Sequence, residues 1–190
     1  MSESIFGIIP ARGGSKRLPG KNLMKLGGVS LLEHTVREAR KALPVSVVST
    51  EDKEITLEAL RCGVRVLWRP DRLATDEATS EEVIEHAVNA YIGCGFKWFC
   101  LLQVTSPLRT VEDIRNAYAI AEEHNKPVVS THNGKRNGAI YIGKMLAMPG
   151  RFFEGAVEYE MPYERSIDID TIEDFNEAER IYNDKIRVTP

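Results

Sequence analysis

Apolar residues recur along this chain in two rhythms. Ser4–Pro10 (SIFGIIP), Val45–Thr50 (VSVVST), Val64–Trp68 and Lys97–Val104 (KWFCLLQV) are short runs, nearly continuous in apolar and β-branched residues, and they read as buried strands. Between them the apolar positions fall three and four apart. Over Ser30–Leu43 the residues Leu31, Leu32, Thr35, Val36, Ala39 and Leu43 share one helical face. Glu51–Arg61 predicts a second helix, with Gly63 placed to end it. Thr79–Tyr91 predicts a third, opened by a Thr/Ser cap with glutamates in the first turn, and Val111–His124 a fourth. Pro127–Thr131 predicts another strand. After Thr131 the rhythm changes: Gly138–Ile142 and Arg165–Ile169 read as strands and Asp170–Tyr182 as a closing helix, while Met145–Met161 fits neither period.

Strands that are apolar throughout must be covered on both faces, and their alternation with helices predicts an α/β fold with a doubly wound, mostly parallel sheet. A length of 190 residues fits a single domain over 1–190. Ligands in such sheets bind beyond the carboxyl ends of the strands. The points to search are therefore just after Pro10, Thr50, Trp68, Gln103 and Thr131.

Composition narrows the classes. Hydrophobic residues make up 43% and charged residues 28%, as in soluble globular proteins, and a formal net charge of −3 offers no general field for a nucleic-acid backbone. An anionic ligand must be held by a local cluster. Cys62, Cys94 and Cys100 are odd in number and lack CxxC spacing, which points to reduced thiols and a cytoplasmic setting rather than a disulfide frame or zinc site. The apolar run near the start is too short for a secretion signal, and no run reaches membrane-spanning length.

One local cluster stands out. Directly after the first strand, Ala11–Asn22 (ARGGSKRLPGKN) holds three glycines and the four cations Arg12, Lys16, Arg17 and Lys21. Glycines let backbone N–H groups turn towards an anion, and the cations supply charge for a triphosphate. The alternative is a solvated basic turn. The segment matches neither the GxxxxGK[ST] phosphate loop nor the GxGxxG dinucleotide fingerprint, which leaves an oxidoreductase a distant reading. At the other end of the chain, Asp168 and Asp170 flank Ile169. On a strand both carboxylates face one side. Such a pair is unfavourable unless a cation joins it, and a hard ion such as Mg²⁺, shared with phosphate oxygens, would do so. Asp170 also suits the role of cap for the helix that follows.

IIPARGGSKRLPGKN resembles the signature of the CMP-sialic acid synthetase (acylneuraminate cytidylyltransferase) family. The resemblance continues through STEDKEI at 49–55, RPDRLATDEATSEEVIEHA at 69–87, LLQVTSPLRTVEDI at 101–114, NGAIYI at 137–142 and SIDIDTIEDF at 166–175, in order and over nearly the whole chain. It implies a Rossmann-like nucleotidyltransferase fold and transfer of CMP from CTP to an acidic keto-sugar, a sialic-acid-like nonulosonic acid, with release of pyrophosphate. It places Ala11, Arg12, Gly13, Ser15, Lys21, Asn22, Arg69, Ser80 and Gln103 around the nucleotide. Arg12 and Lys21 would meet the α- and β-phosphates, and Asp168 and Asp170 would hold Mg²⁺. Arg69 and Ser80 would address the cytosine and ribose, although Ser80 also suits a helix cap. Gln103 is a polar residue closing an apolar strand, and it would lie near nucleotide and acceptor.

The chain departs from the family between its fifth strand and NGAIYI. Relatives usually carry there a longer insertion that contacts the acceptor and crosses to a partner subunit; here only His132–Arg136 joins the two. That implies a monomer or an altered homodimer, in which the apolar stretch 145–153 is the segment available for an interface. It also keeps open a smaller acidic acceptor, such as a phosphonate or shorter keto-acid sugar, and a CTP-binding protein without transfer activity. Lys135 and Arg136 read equally as carboxylate contacts or as an ordinary basic turn, and His132 is a further candidate near the acceptor. His34, His86 and His124 lie in helices without metal-ligand spacing. The partners expected are CTP and a small acid, with no nucleic acid and no membrane.

Overall fold

A computed structural model describes residues 4–188. The chain runs β1 (Ile5–Pro10), the two-residue strands β2 (Lys25–Leu26) and β3 (Val29–Ser30), α1 (Leu31–Ala42), β4 (Val45–Thr50), α2 (Lys53–Arg61), β5 (Arg65–Trp68) and α3 (Ser80–Tyr91). It continues with β6 (Trp98–Leu101), α4 (Val111–His124), β7 (Val128–His132), β8 (Lys135–Lys144), β9 (Val157–Glu160) and α5 (Ile172–Val188).

Helix starts follow local chemistry. Ser30 caps α1, accepting the Glu33 N–H at 3.0 Å, and Asp52 caps α2, accepting the Ile55 N–H at 2.9 Å. Thr79 with Glu82 and Thr110 with Asp113 form reciprocal capping boxes on α3 and α4. The buried face of α1 contains Leu31, Leu32, Thr35, Val36 and Ala39 as its periodicity predicts, while Leu43, also buried, is the residue that ends the helix. Gly63 ends α2 with φ at +71°, as a left-handed cap requires.

The sheet has seven strands in the order β5-β4-β1-β6-β8-β7-β9. All are parallel except β8, which enters antiparallel between β6 and β7. From β1 the chain winds outward through α1, β4, α2 and β5. Helix α3 then carries it to β6, on the other side of β1. The winding thus reverses between β1 and β6, and the crevice beyond their carboxyl ends is the place such sheets offer a ligand. One face packs β1, β4 and β6 side chains such as Ile5, Ile9, Val48 and Cys100 against α1, α2, α4 and α5. The other packs Phe6, Ile8, Val47, Phe99 and Leu101 against Ile84, Ala87 and Val88 of α3. Met145 and Phe152 complete that second face, so the stretch without periodicity covers the sheet with alternate residues and leaves Leu146 and Met148 exposed.

Three features depart from the pattern reading. Gly27-Gly28 and Asn133-Gly134 each make a two-residue hairpin turn with both central residues at positive φ, joining β2 to β3 and β7 to β8. The unassigned stretch ends in β9, parallel to β7. Residues 165–169 form no strand. A 3₁₀ turn at Tyr163–Arg165 leads into an extended segment with no neighbouring strand to pair with, fastened by the Ile169 N–H to the Thr105 carbonyl at 2.7 Å. The expected alternation survives without a ladder: Ile167 and Ile169 are buried, and Asp168 and Asp170 turn outward.

A buried carboxylate fixes this segment. The Asp113 side chain, 1% exposed, accepts the Thr110 N–H at 2.9 Å, the Tyr159 hydroxyl at 3.0 Å and the Arg165 Nε–H at 3.2 Å. It thereby ties the start of α4 and strand β9 to the residue that precedes the two aspartates. Arg165→Met would strip the cation from a carboxylate that stays buried. Removing one partner of a fully buried pair costs about 3–5 kcal/mol. With the Arg165 side chain 34% exposed, we expect a fall of about 2 kcal/mol in unfolding free energy by urea titration. An unchanged midpoint would show that the network does not anchor the segment.

Candidate functional site

The crevice beyond β1 and β6 opens into a cleft of about 730 Å³. That volume lies within the range of small-molecule sites. Its walls come from the loop after β1, the segment after β5, the end of β6 and Asp170.

The loop after β1 is shaped by contacts beneath it. The Ala11 N–H continues the ladder to the Ser49 carbonyl at 3.0 Å. The Gly13 N–H donates to Glu51 Oε1 at 2.7 Å, and a Cβ at residue 13 would run into the Asp52 carboxylate. Gly13 is thus required by close packing, and Glu51, which the site reading passed over, is the acid that holds the loop down. Asn22, buried, donates its amide to the Arg12 carbonyl at 2.8 Å and clamps the loop on itself. Leu18–Lys21 closes a turn through the Lys21 N–H, with Pro19 and Gly20 at its centre; Gly20 sits at φ +68°, where a side chain would be strained. This turn sends Lys21 inward.

The four cations are all paired, and by only two carboxylates. Lys21 Nζ donates to the Ile169 carbonyl at 2.7 Å and to Asp170 Oδ1 at 2.8 Å. Arg17 meets Asp170 Oδ2 at 3.1 Å. On the opposite rim Arg12 meets Asp76 Oδ1 at 2.9 Å and donates to the Thr75 carbonyl at 3.0 Å, and Lys16 pairs with the other Asp76 oxygen. The hydrogen bond to Lys16 holds the Asp76 carboxyl below its usual pKa and raises that of the lysine.

Arg69, Ser80 and Gln103 all reach the cleft. Arg69 is 3% exposed and spends most of its guanidinium on the protein: Ser49 Oγ at 3.3 Å, the Ser49 carbonyl at 2.7 Å and the Leu73 carbonyl at 3.2 Å. Burial lowers its pKa. It braces the end of β4 to the turn at Asp71–Leu73, so a ligand would meet only the N–H groups that these bonds leave over. Ser80 is the first residue of α3. Thr79 supplies the capping bond, so the Ser80 hydroxyl, in the cleft wall, is not the cap. Gln103 lies two residues beyond the end of β6, since the strand stops at Leu101 rather than Val104. Its backbone carbonyl accepts from Arg109, and its Oε1 lies over Gly138, where a Cβ would approach to 2.7 Å.

Gly138 belongs to a wide bulge in β8. Between the pairs Val129↔Tyr141 and Thr131↔Arg136, Ser130 alone faces four residues. Its hydroxyl bonds Asn137 Oδ1 at 2.5 Å and the Ile140 N–H at 2.8 Å, while Asn137 Nδ2 donates to Ser166 Oγ at 3.0 Å. The bulge brings Gly138, at φ +74°, against both Gln103 and Asp168. The Asn-Gly pair of NGAIYI was the available signal for it.

Asp168 lies next to Thr105, a wall residue of the cleft, but does not itself line it. Crowding by protein raises its pKa, although the side chain still meets solvent; the Thr105 hydrogen bond and Lys21 oppose the rise, and Asp170 adds to it. Asp170 is not the cap of α5. Thr171 and Asp174 cap that helix, the Thr171 N–H donating to Asp174 Oδ2 at 2.8 Å and the Asp174 N–H to Thr171 Oγ1 at 3.3 Å. Asp170 is left to the cations. The donors here are hard oxygens, the chemistry that Mg²⁺ takes. Among the described residues, the one gathering of three potential ligands is Glu33, Glu58 and Cys62, far in sequence from these elements, with both carboxylates already paired to Arg61.

Some expected residues lie elsewhere. His132 is bound to the Met161 carbonyl at 2.9 Å, and Lys135 and Arg136 project from the β8 hairpin; none of the three lines the cleft. Conversely, Arg109 is not singled out by the sequence beyond its place in LLQVTSPLRTVEDI. It is a fully buried cation under Gln103 whose pKa burial pushes down to about 10, and its Nε and Nη1 meet no acceptor among the described residues.

Comparison with known proteins bears on this arrangement. The chain is 32% identical to an N-acylneuraminate cytidylyltransferase of Streptococcus agalactiae over 214 residues, covering 88% of this chain and 51% of that protein. It is 40% identical to a CMP-N,N'-diacetyllegionaminic acid synthase of Legionella pneumophila over 134 residues, covering 66% of this chain and 56% of that one. The chain therefore spans about half the length of these curated relatives. The matched stretch of the Streptococcus protein is longer than this whole chain, so that relative carries residues this chain lacks. Among solved structures, a CMP:2-keto-3-deoxy-manno-octonic acid synthetase complexed with CTP superposes with a TM-score of 0.69 at 14% identity, over 95% of this chain and 99% of that one, which is a likeness of fold. The family model for cytidylyltransferases matches residues 6–142, which hold both the glycine-rich loop and Gln103, and the chain belongs to that family.

Proposed function

We propose that this chain transfers CMP from CTP to an acidic keto-sugar of the nonulosonic class, releasing pyrophosphate. The observation that carries the reading is the cluster of Arg12, Lys16, Arg17 and Lys21 at the sheet's switch point, held in a cleft by two carboxylates that a more highly charged anion can replace. The relatives named above, which act on N-acylneuraminate and diacetyllegionaminic acid by their names, support the acceptor class.

In this reading the triphosphate lies along the loop, with Arg12 and Lys21 at the α- and β-phosphates. Ala11, Gly13, Ser15 and Asn22 form the loop's floor and turn. Arg69, Ser80 and Gln103 face the nucleoside. The acceptor's hydroxyl attacks the α-phosphorus in line, and the bond to the departing pyrophosphate breaks. Little covalent chemistry falls to the protein, whose part is to position the reactants and neutralise charge at the phosphorus. Asp168 and Asp170 would hold Mg²⁺, which supplies Lewis-acid stabilisation of the phosphate oxygens when bound. Lys21 would keep the Ile169 carbonyl and Asp170 and turn its remaining N–H to phosphate as the site fills.

A second reading is CTP binding without transfer, or transfer to a smaller acid. It is favoured by one observation: a two-residue turn at Asn133-Gly134 stands where the strands β7 and β8 would otherwise carry an arm. We place the protein in the cytoplasm, with the described residues as one domain. Among the described residues no helix is long and apolar enough to cross a membrane.

Pyrophosphate release tests both readings. With CTP, Mg²⁺ and a panel of nonulosonic acids, we expect turnover with one acid and none with ATP, UTP or GTP. Asp168→Asn and Asp170→Asn should each reduce that turnover at least tenfold across a magnesium titration while leaving the fold intact. Wild-type rates in both variants would remove the metal assignment, and CTP binding without turnover would favour the second reading.

The short turn also bears on assembly. We expect a monomer, or a dimer formed through the exposed Leu146 and Met148, by sedimentation at micromolar concentration. A tight dimer that is lost on altering residues 132–136 would contradict this.

A further inference from the structure

The reading above gives Arg12 and Lys16 a phosphate to bind, yet in the structure both are bound to Asp76. This residue sits in the middle of a segment fixed at both ends. Before it, Leu73 is buried and accepts from Arg69. After it, Thr79 and Glu82 form the capping box of α3. Between these anchors Thr75, Asp76 and Glu77 are exposed. Asp76 reaches across the mouth of the cleft to the opposite wall, and the Arg12 guanidinium also takes the Thr75 carbonyl at 3.0 Å.

The two bonded sets of cations differ. Lys21, 11% exposed at its side chain, also holds a backbone carbonyl and is built into the fold. The Lys16 side chain is 81% exposed, and Arg12 and Asp76 are each 34% exposed. Pairs so open to solvent are weak and readily exchanged. A triphosphate brings several negative charges where Asp76 brings one, and it has oxygens enough for both cations at once.

Resting on the cytidylyltransferase reading, we infer that Asp76 is a stand-in for phosphate: its carboxylate holds Arg12 and Lys16 and must leave when the nucleotide's triphosphate enters. It follows that Asp76 is a positioning residue that sets nucleotide affinity by competition. Its release frees the stretch between Leu73 and Thr79, which carries one wall of the cleft up to Ser80. The aspartate keeps the cationic loop tied to the opposite wall until a stronger anion arrives, and this discriminates against single phosphates, which bring less charge to the exchange.

The test is a calorimetric titration of the full chain, without acceptor, using CTP and separately inorganic tripolyphosphate. Asp76→Asn keeps the shape and removes the competing charge. It should bind both ligands about three- to tenfold more tightly, the scale set by two exposed ion pairs. Asp76→Glu, which restores the charge, should return affinity towards wild type, an outcome a merely structural role would not produce. Unchanged or weaker binding by Asp76→Asn at an unchanged melting temperature would overturn the inference. If tripolyphosphate responds as stated but CTP does not bind to any variant, the stand-in role holds and the cytidine reading falls. If neither ligand binds to the wild type, both fall.

Discussion

The architecture of the cleft depends on one ammonium group. Lys21 is buried, and its Nζ holds the Ile169 carbonyl and the Asp170 carboxylate, partners nearly the whole chain away in sequence. A lysine is taken out of water only when its charge is met. The turn through Pro19 and Gly20 fixes its direction, and the Asp113–Arg165 pair fixes the segment it meets. Together they join the first loop of the fold to the carboxylates at its end, around the open end of the sheet. Without that link Asp168 and Asp170 would belong to a stretch of chain with no strand neighbour.

The remainder of the site is a balance of charge at close quarters. Two carboxylates offset only half the charge of four cations across the cleft, and the excess positive charge is left to attract an anion. The deep side is rigid: Arg69 braced on β4, Arg109 sealed under Gln103, and the β8 bulge pressing Gly138 against Gln103. The outer side, with Lys16, Arg17 and Asp76, is exposed and exchangeable. A floor that holds shape beneath a rim that can release its partners is the arrangement a nucleotide-transferring cleft needs, because catalysis by positioning requires the first and entry of an anion the second.

Much of this was legible in the sequence because it is local. The buried strands β1, β4 and β6, the amphipathic helices and their caps are set by periodicity and by residues within one turn, and the glycine-rich loop was found where the first strand ends. What escaped depends on contacts distant in sequence. A segment at 165–169 alternates like a strand, but only the neighbours decide whether a ladder forms, and here none is adjacent. The four-residue bulge opposite Ser130 and the burial of Arg109 are consequences of packing. Asp170 also suited a helix cap by its position, a role that Thr171 and Asp174 fill instead. The two hairpin turns are different: Gly27-Gly28 and Asn133-Gly134 are local signals that the helix and strand periods obscured. Asp76 gave no signal at all, since nothing in the order of residues shows that it spans the cleft to Arg12.

The central claim is that Lys21 makes the glycine-rich loop and the carboxylate segment one unit. A double-mutant cycle of Lys21→Ala and Asp170→Asn, read as CTP affinity in the presence of Mg²⁺, tests it most directly. The account predicts strong coupling, about tenfold or more between the combined effect and the product of the single effects, which is about 1.4 kcal/mol or more. Additive losses, within about 0.5 kcal/mol, would show that the two residues serve the ligand separately and would contradict it.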